Sequence, residues 1–131
     1  MSESNPQVTF HPDQILKLKL AFEAYIERRE FLQNNITLKK MADDLGVQPH
    51  VLSAFLNQNY QMHFNELINY YRVQYIKAGI ISRQWENYTL EAIGEKAGFN
   101  NRTTFLSAFK KVTGMTPSGF IVANAKNHNS G

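Results

Sequence analysis

Four histidines, eleven carboxylates and no cysteine define the chemistry open to this 131-residue chain. Without a thiol there is no cysteine nucleophile, no disulfide and no cysteine zinc site. His11, His50, His63 and His128 stand at no metal-ligand spacing. Asp43-Asp44, and Glu91 with Glu95, look like paired carboxylates for acid–base work. Adjacent or one-turn spacing on a polar helix face, however, ordinarily serves solubility and pairing with the helix dipole. The expectation is no enzyme: no catalytic residue, no cofactor and no metal. What remains is recognition. Arg102 can present a forked donor pair to guanine or phosphate, and Lys110-Lys111 can hold phosphates. Ser53, Thr103 and Ser107 offer short hydroxyl contacts.

Composition is that of a folded domain, with 43% hydrophobic, 19% charged and 12% aromatic residues. The formal charge of +3 is mild and weakly favours an anionic partner. Its distribution says more: residues 36–126 hold ten basic against six acidic residues, a net +4, and the remainder is −1. No apolar run approaches the roughly 20 residues a bilayer span needs, and the first ten residues form neither a basic nor an apolar leader. The expectation is a cytoplasmic protein with no membrane span in this chain.

These groups need elements to hold them, and the apolar periodicity supplies helices. Ile15, Leu18, Phe22 and then Tyr25 or Ile26 predict a first helix from Pro12 to about Asn34. Thr37 can cap a short helix over 38–45 that ends at Gly46, and Pro49 starts another that runs to about Asn59. A longer pattern from Phe64 to about Ser82 buries Phe64, Leu67, Ile68, Tyr71, Tyr75 and Ile76, with Asn69, Arg72 and Lys77 among its polar positions. Residues 84–87 read as a loop in which Trp85 has no evident role. Thr89 caps a helix that stops at Gly98. Asn100 or Asn101 caps the next, which is closed by Gly114, and Pro117 begins a last helix to about Ala123. Nothing alternates with period two, so the fold class is all-α with about seven helices.

The pattern is duplicated. Thr37, Leu38, Met41, Gly46 and Val47 recur 52 residues later as Thr89, Leu90, Ile93, Gly98 and Phe99. One extra residue then shifts the offset to 53, pairing Leu52 with Phe105, Leu56 with Phe109 and Met62 with Met115. Each copy is a capped helix, a glycine turn and a second helix with a polar outer face, which is the plan of a helix-turn-helix. Small residues Ala42 and Gly94 sit where the two helices of each copy must approach closely. A helix fits the roughly 12 Å opening of a DNA major groove. The connecting helix spans roughly 28 Å at 1.5 Å per residue, near the 34 Å of one duplex turn. Two reading helices in successive major grooves are the expectation.

These residues resemble the two-helix-turn-helix DNA-binding domain of the AraC/XylS family of bacterial transcription regulators, over about residues 20–123. The most specific part is Ile93-x4-Gly98-Phe99-x5-Phe105-x3-Phe109-Lys110-Lys111-x2-Gly114-Met115-Thr116-Pro117-x2-Phe120. Leu38-x2-Met41-Ala42-x3-Gly46-Val47 and Arg72 fit as well. The resemblance implies homeodomain-like subunits and base contacts at His50, Ser53 and Ala54 on the first reading helix, with Asn57 further along it. On the second it implies Arg102, Thr103, Leu106 and Ser107, flanked by Asn101, Lys110 and Lys111. Relative to the family, Ala54 and Ser107 stand where arginine or another long polar residue is frequent. Gln61 and Phe64 replace a glycine and a proline, and Gly79 replaces a leucine of the connecting helix.

The function implied is sequence-specific double-stranded DNA binding in a regulator of the AraC type. RNA polymerase is a further partner, as is a sensor or oligomerisation domain if the chain is part of a longer one. Division of the chain is expected as a disordered segment 1–11, an N-terminal helix 12–35, a first unit 36–68, a connecting helix 64–82, a second unit 88–123 and a polar tail 124–131. The competing reading is a degenerate copy of the fold that serves as a protein interaction module.

Overall fold

The structure, a computed structural model, describes residues 8–129, with side chains in the last helix as far as Ala125. Among the described residues there are seven α-helices and no strand: α1 Pro12–Glu27, α2 Leu38–Leu45, α3 Pro49–Tyr60, α4 Phe64–Ile81, α5 Leu90–Lys96, α6 Arg102–Thr113 and α7 Pro117–Asn129, with a 3-10 turn at Glu30–Leu32. The chain divides into two compact units. Unit 1 comprises residues 1–30 and 36–67, and unit 2 comprises residues 31–35 and 68–131. The first four residues of α4 belong to unit 1 and the rest to unit 2.

Unit 1 is organised by local capping and one apolar cluster. The His11 amide donates to Gln14 Oε1 at 2.9 Å and the Asp13 amide to His11 Nδ1 at 3.2 Å, so α1 starts at Pro12 with its first amides satisfied. Thr37 Oγ1 accepts from the Lys40 amide at 3.1 Å and opens α2. Gly46 ends it at φ 75°, a left-handed conformation that a side chain would strain, and the Val47 amide closes back onto the Ala42 carbonyl at 3.0 Å. The fully buried Ala42 is the small residue expected where α2 meets α3. Leu18, Phe22 and Tyr25 of α1, Met41 of α2, and Leu52, Phe55 and Leu56 of α3 form the core. Phe22, Phe55 and Tyr60 meet edge-on or tilted.

Two helix ends and the segment before α1 differ from the sequence expectation. α1 stops at Glu27 rather than near Asn34, because Arg29 turns left-handed at φ 60°. Downstream, the carbonyls of Phe31 and Gln33, which a longer helix would use internally, accept from the Arg72 guanidinium instead. Of the segment 1–11, residues 1–7 lie outside the described residues. In the remainder Phe10 packs edge-on against Phe55 and the Val8 carbonyl accepts from Gln58 at 2.9 Å, so this stretch is docked on α3. α7 continues to Asn129, six residues beyond the expected end at Ala123.

Unit 2 repeats the plan. Thr89 Oγ1 accepts from the Ala92 amide at 3.1 Å, and Asn101, not Asn100, caps α6 by accepting from the Thr104 amide at 2.8 Å. Gly94 is buried against Phe105: a Cβ there would come within 2.8 Å of the phenyl ring. Val73, Ile76, Ile80, Ile93, Phe99, Phe105 and Phe109 make the core, with Phe120 edge-on to Phe109. Trp85 joins them. The turn that carries it is exposed at most positions, but the indole itself is buried beside Tyr75 and Tyr88.

Candidate nucleic-acid interface

The second helix of each helix-turn-helix, α3 or α6, presents a polar face, and in each case the buried side of the helix fixes its orientation. On α3, Leu52, Phe55 and Leu56 are fully buried. His50, Ser53 and Asn57 are therefore exposed on the opposite side, with Ala54 half-buried between them. Their spacing of three, four and seven residues puts all four on one stripe. The stripe carries no Lys, Arg, Asp or Glu. Gln58, at its edge, is committed to the Val8 carbonyl.

On α6, Phe105, Ala108 and Phe109 face inward, which turns Thr103, Ser107 and Lys110 directly outward. Arg102 and Leu106 lie on the flank of that sector: Arg102 is exposed, whereas Leu106 is half-buried and packed against the unit 2 core, so only part of it is presented. Lys111 is exposed on the flank of the same face. Asn101 uses its side-chain oxygen to cap α6 and keeps its side-chain amide for acceptors. Arg102, in the first turn, borders a cleft of about 90 Å³ lined also by Glu91, Glu95 and Asn100. Each set of expected residues is thus gathered on its own helix.

Two positioning features go beyond the sequence expectation. Arg72 is buried: Nε donates to the Phe31 carbonyl at 2.7 Å, Nη2 to the Gln33 carbonyl at 2.8 Å, and the guanidinium lies 5.4 Å from the centre of the Phe99 ring. Burial lowers its pKa to about 10, which leaves it cationic at neutral pH. Arg72 therefore does not belong with the outward polar positions of α4. A signal for this exists in the sequence, since Ile68, Arg72, Ile76 and Ile80 recur every four residues and the arginine shares the apolar stripe. Asn100 adds to the same clamp by donating to the Asn34 carbonyl at 3.0 Å. These bonds seat segment 31–35 on the rest of unit 2, next to the turn that precedes α6.

In unit 1, Tyr25 Oη donates to Asp44 Oδ2 at 2.8 Å while Lys40 Nζ reaches both carboxylate oxygens at 2.9 and 3.0 Å. The lysine hydrogen bond, then the tyrosine, hold the Asp44 carboxyl below its usual range, and Asp44 in turn raises Lys40. Burial, reinforced by Asp44, pushes the Tyr25 hydroxyl up. Lys39 pairs with Asp43 at 3.2 Å. The adjacent carboxylates are thus engaged in ion pairs and a hydrogen bond. Among the described residues no group of three or more His, Asp or Glu side chains is arranged to hold a metal, and no helix is long and apolar enough to cross a membrane.

A capped helix, a tight turn and a second helix with an exposed polar stripe, present twice, define a double helix-turn-helix protein. The chain belongs to the helix-turn-helix domain family of the AraC type, whose profile matches residues 41–121. It is 27% identical over 96 residues to an uncharacterised HTH-type transcriptional regulator, YtdP, of Bacillus subtilis (strain 168). That match takes in 73% of this chain but spans only 12% of the length of the relative. The structure superposes on the C-terminal domain of AraT, a response regulator from Geobacillus stearothermophilus, with TM-score 0.69, 25% identity and 88% of each chain covered. A DNA-binding transcriptional dual regulator from Escherichia coli K-12 has the same fold, with TM-score 0.65 at 17% identity over 91% of this chain and 98% of that one.

Proposed function

We propose that the chain is a sequence-specific double-stranded DNA-binding module that acts in transcription regulation, with α3 and α6 as its reading helices. The observation that carries this reading is that both helices are locked by their apolar sides so that an exposed polar stripe faces outward, within a family that includes a relative named as a transcriptional regulator. The DNA-binding regulator that shares the fold supports it. Function of this kind is docking rather than catalysis. Phosphate contacts set register and base-edge contacts select sequence.

On this reading His50, Ser53, Ala54 and Asn57 meet one major groove and Arg102, Thr103, Leu106 and Ser107 the next, with Asn101, Lys110 and Lys111 toward the backbone. The 18 residues of α4 extend about 27 Å, comparable with one duplex turn of about 34 Å. Cytoplasmic DNA, RNA polymerase and a sensor or oligomerisation domain in the same polypeptide are the partners it implies. The test is duplex selection from random sequence followed by a salt titration on the selected site. The expected result is tighter binding to the selected duplex than to a scrambled one, and a steep fall in affinity as salt rises. Flat or absent binding would assign the fold to a protein interaction module instead.

A further inference from the structure

We infer that Asn100 is a positioning residue for DNA reading: it fastens the turn between α5 and α6 to segment 31–35, and so fixes the direction in which Arg102 leaves α6. This rests on the DNA-binding reading above and deepens it by naming what aims the second reading helix.

The first turn of α6 needs such a hold. Arg102, Thr103 and Thr104 are all exposed, and the buried residues of the helix begin only at Phe105. Core packing therefore orients the body of α6 and leaves its first turn to the residues just before it. Those residues are gripped by segment 31–35 and Arg72. Gly98, at φ 98°, lies so close to the segment that a Cβ there would come within 2.6 Å of the Leu32 carbonyl oxygen. The Phe99 ring faces the Arg72 guanidinium, which itself holds the Phe31 and Gln33 carbonyls. Asn100 Nδ2 donates to the Asn34 carbonyl at 3.0 Å, directly before Asn101, whose side chain caps α6. The segment is itself anchored, since Phe31 is buried with its ring 5.7 Å from that of Tyr71.

The other copy of the motif does without this brace. Gly46 holds the place of Gly98 in the duplicated pattern and is left-handed too, yet among the described residues a Cβ there would meet nothing within 4 Å beyond its chain neighbours. Making the turn does not call for the brace, and the brace stands beside the helix that carries the arginine. A forked contact to the edge of guanine tolerates only about 10 to 20° of misorientation. Freedom in the first turn of α6 therefore costs selectivity before it costs stability.

The test compares the parent chain with Asn100→Ala, Arg102→Ala and the double variant, on a duplex selected from random sequence and on a scrambled one, by fluorescence anisotropy at fixed salt. Asn100→Ala is expected to lower the selected-to-scrambled affinity ratio about three- to tenfold, the range of one lost hydrogen bond. In the Arg102→Ala chain it should lower the ratio no further, because nothing remains to aim. Binding of the selected duplex should also slow hydrogen exchange of the 31–35 amides in the parent chain but not in Asn100→Ala, since coupling between two sites is reciprocal. Circular dichroism melting verifies that each variant is folded. The inference is overturned if Asn100→Ala leaves the ratio unchanged, or if exchange at 31–35 is the same with and without duplex. It is overturned equally if Asn100→Ala lowers the ratio as much in the Arg102→Ala chain as in the parent, which would make Asn100 a direct DNA contact. Absence of any duplex preference in the parent chain would instead bring down the DNA-binding reading, and an unchanged ratio in Arg102→Ala the base contact of Arg102, each taking the inference with it.

Discussion

The Trp85 indole lies against Gly79 of α4, so closely that a Cβ built on the glycine would clash with the indole nitrogen and the ring atoms on either side of it. The two residues therefore specify one another. The absent side chain at Gly79 leaves a space on α4 that the tryptophan from the following turn fills. The fit leaves one polar group unsatisfied: Trp85 Nε1 is buried without a hydrogen-bond partner among the described residues.

Gly79→Leu is accordingly expected to destabilise by about 3 kcal/mol or more, at the upper end of overpacking costs. Trp85→Ala should cost a similar amount, about 3 to 5 kcal/mol, through the cavity left behind. In the double variant the leucine occupies part of that cavity, so the combined loss should fall well short of the sum. Urea denaturation of the three variants measures this. Strict additivity would show that the two positions do not share one space.

The Arg72 clamp makes a second claim. Its guanidinium satisfies two carbonyls at once from a fixed fork, and lysine cannot reproduce that geometry. Arg72→Lys should destabilise by roughly 2 kcal/mol, since hydrogen bonds to a charged donor contribute about 1.5 to 3 kcal/mol. Hydrogen exchange of the amides around residues 31–35 should rise selectively. An exchange pattern equal to that of the parent chain would show that segment 31–35 is held by something else.

Most of the helical plan is legible in the sequence because its signals are local. Thr37, Thr89, Gly46, Gly114 and Pro49 each act on the backbone within a turn of themselves, and each sits at the boundary it announces. The polar stripes of α3 and α6 follow from the same periodicity. What escapes depends on partners distant in sequence. Nothing near Arg29 reveals that the chain will turn left-handed there, because part of the reason lies in the bond between Phe31 and Arg72, 41 residues apart. Trp85 reads as a loop residue because the space that receives it is an absent side chain at Gly79. The full length of α7 is hidden because polar residues such as Asn124 resemble a helix end, although Asn124 Nδ2 reaches the Ile80 carbonyl at 3.5 Å.

Stability should depend on pH through the Tyr25–Asp44–Lys40 group. The folded state lowers the Asp44 pKa, so its contribution is present above the ordinary carboxylate range and lost as pH falls through the lowered value. The folded state raises Tyr25, so its contribution is complete below about 10, the ordinary value, and declines as pH rises beyond it. Asp44→Asn should flatten the acid limb of the stability profile, and Tyr25→Phe the alkaline limb, each with a lower denaturation midpoint near neutral pH. Denaturant midpoints measured across the pH range check both. If Tyr25→Phe left the alkaline limb as steep as in the parent chain, the hydroxyl would not be the titrating group.

Arg102 provides the sharpest test of the proposed reading face. It is exposed in the first turn of α6, beside Thr103 and one turn before Leu106, and its fork matches the paired acceptors on the major-groove edge of guanine. A base contact contributes only on the right sequence, whereas a phosphate contact contributes on any duplex. Arg102→Ala should therefore weaken binding to the selected site by about 1 to 3 kcal/mol more than binding to a scrambled duplex. Preference should relax at one base pair rather than across the site. Parallel titrations of both duplexes at fixed salt give the comparison. Equal losses on the two would place Arg102 with Lys110 and Lys111 on the backbone, and base selection by α6 would then rest on Thr103 and Ser107.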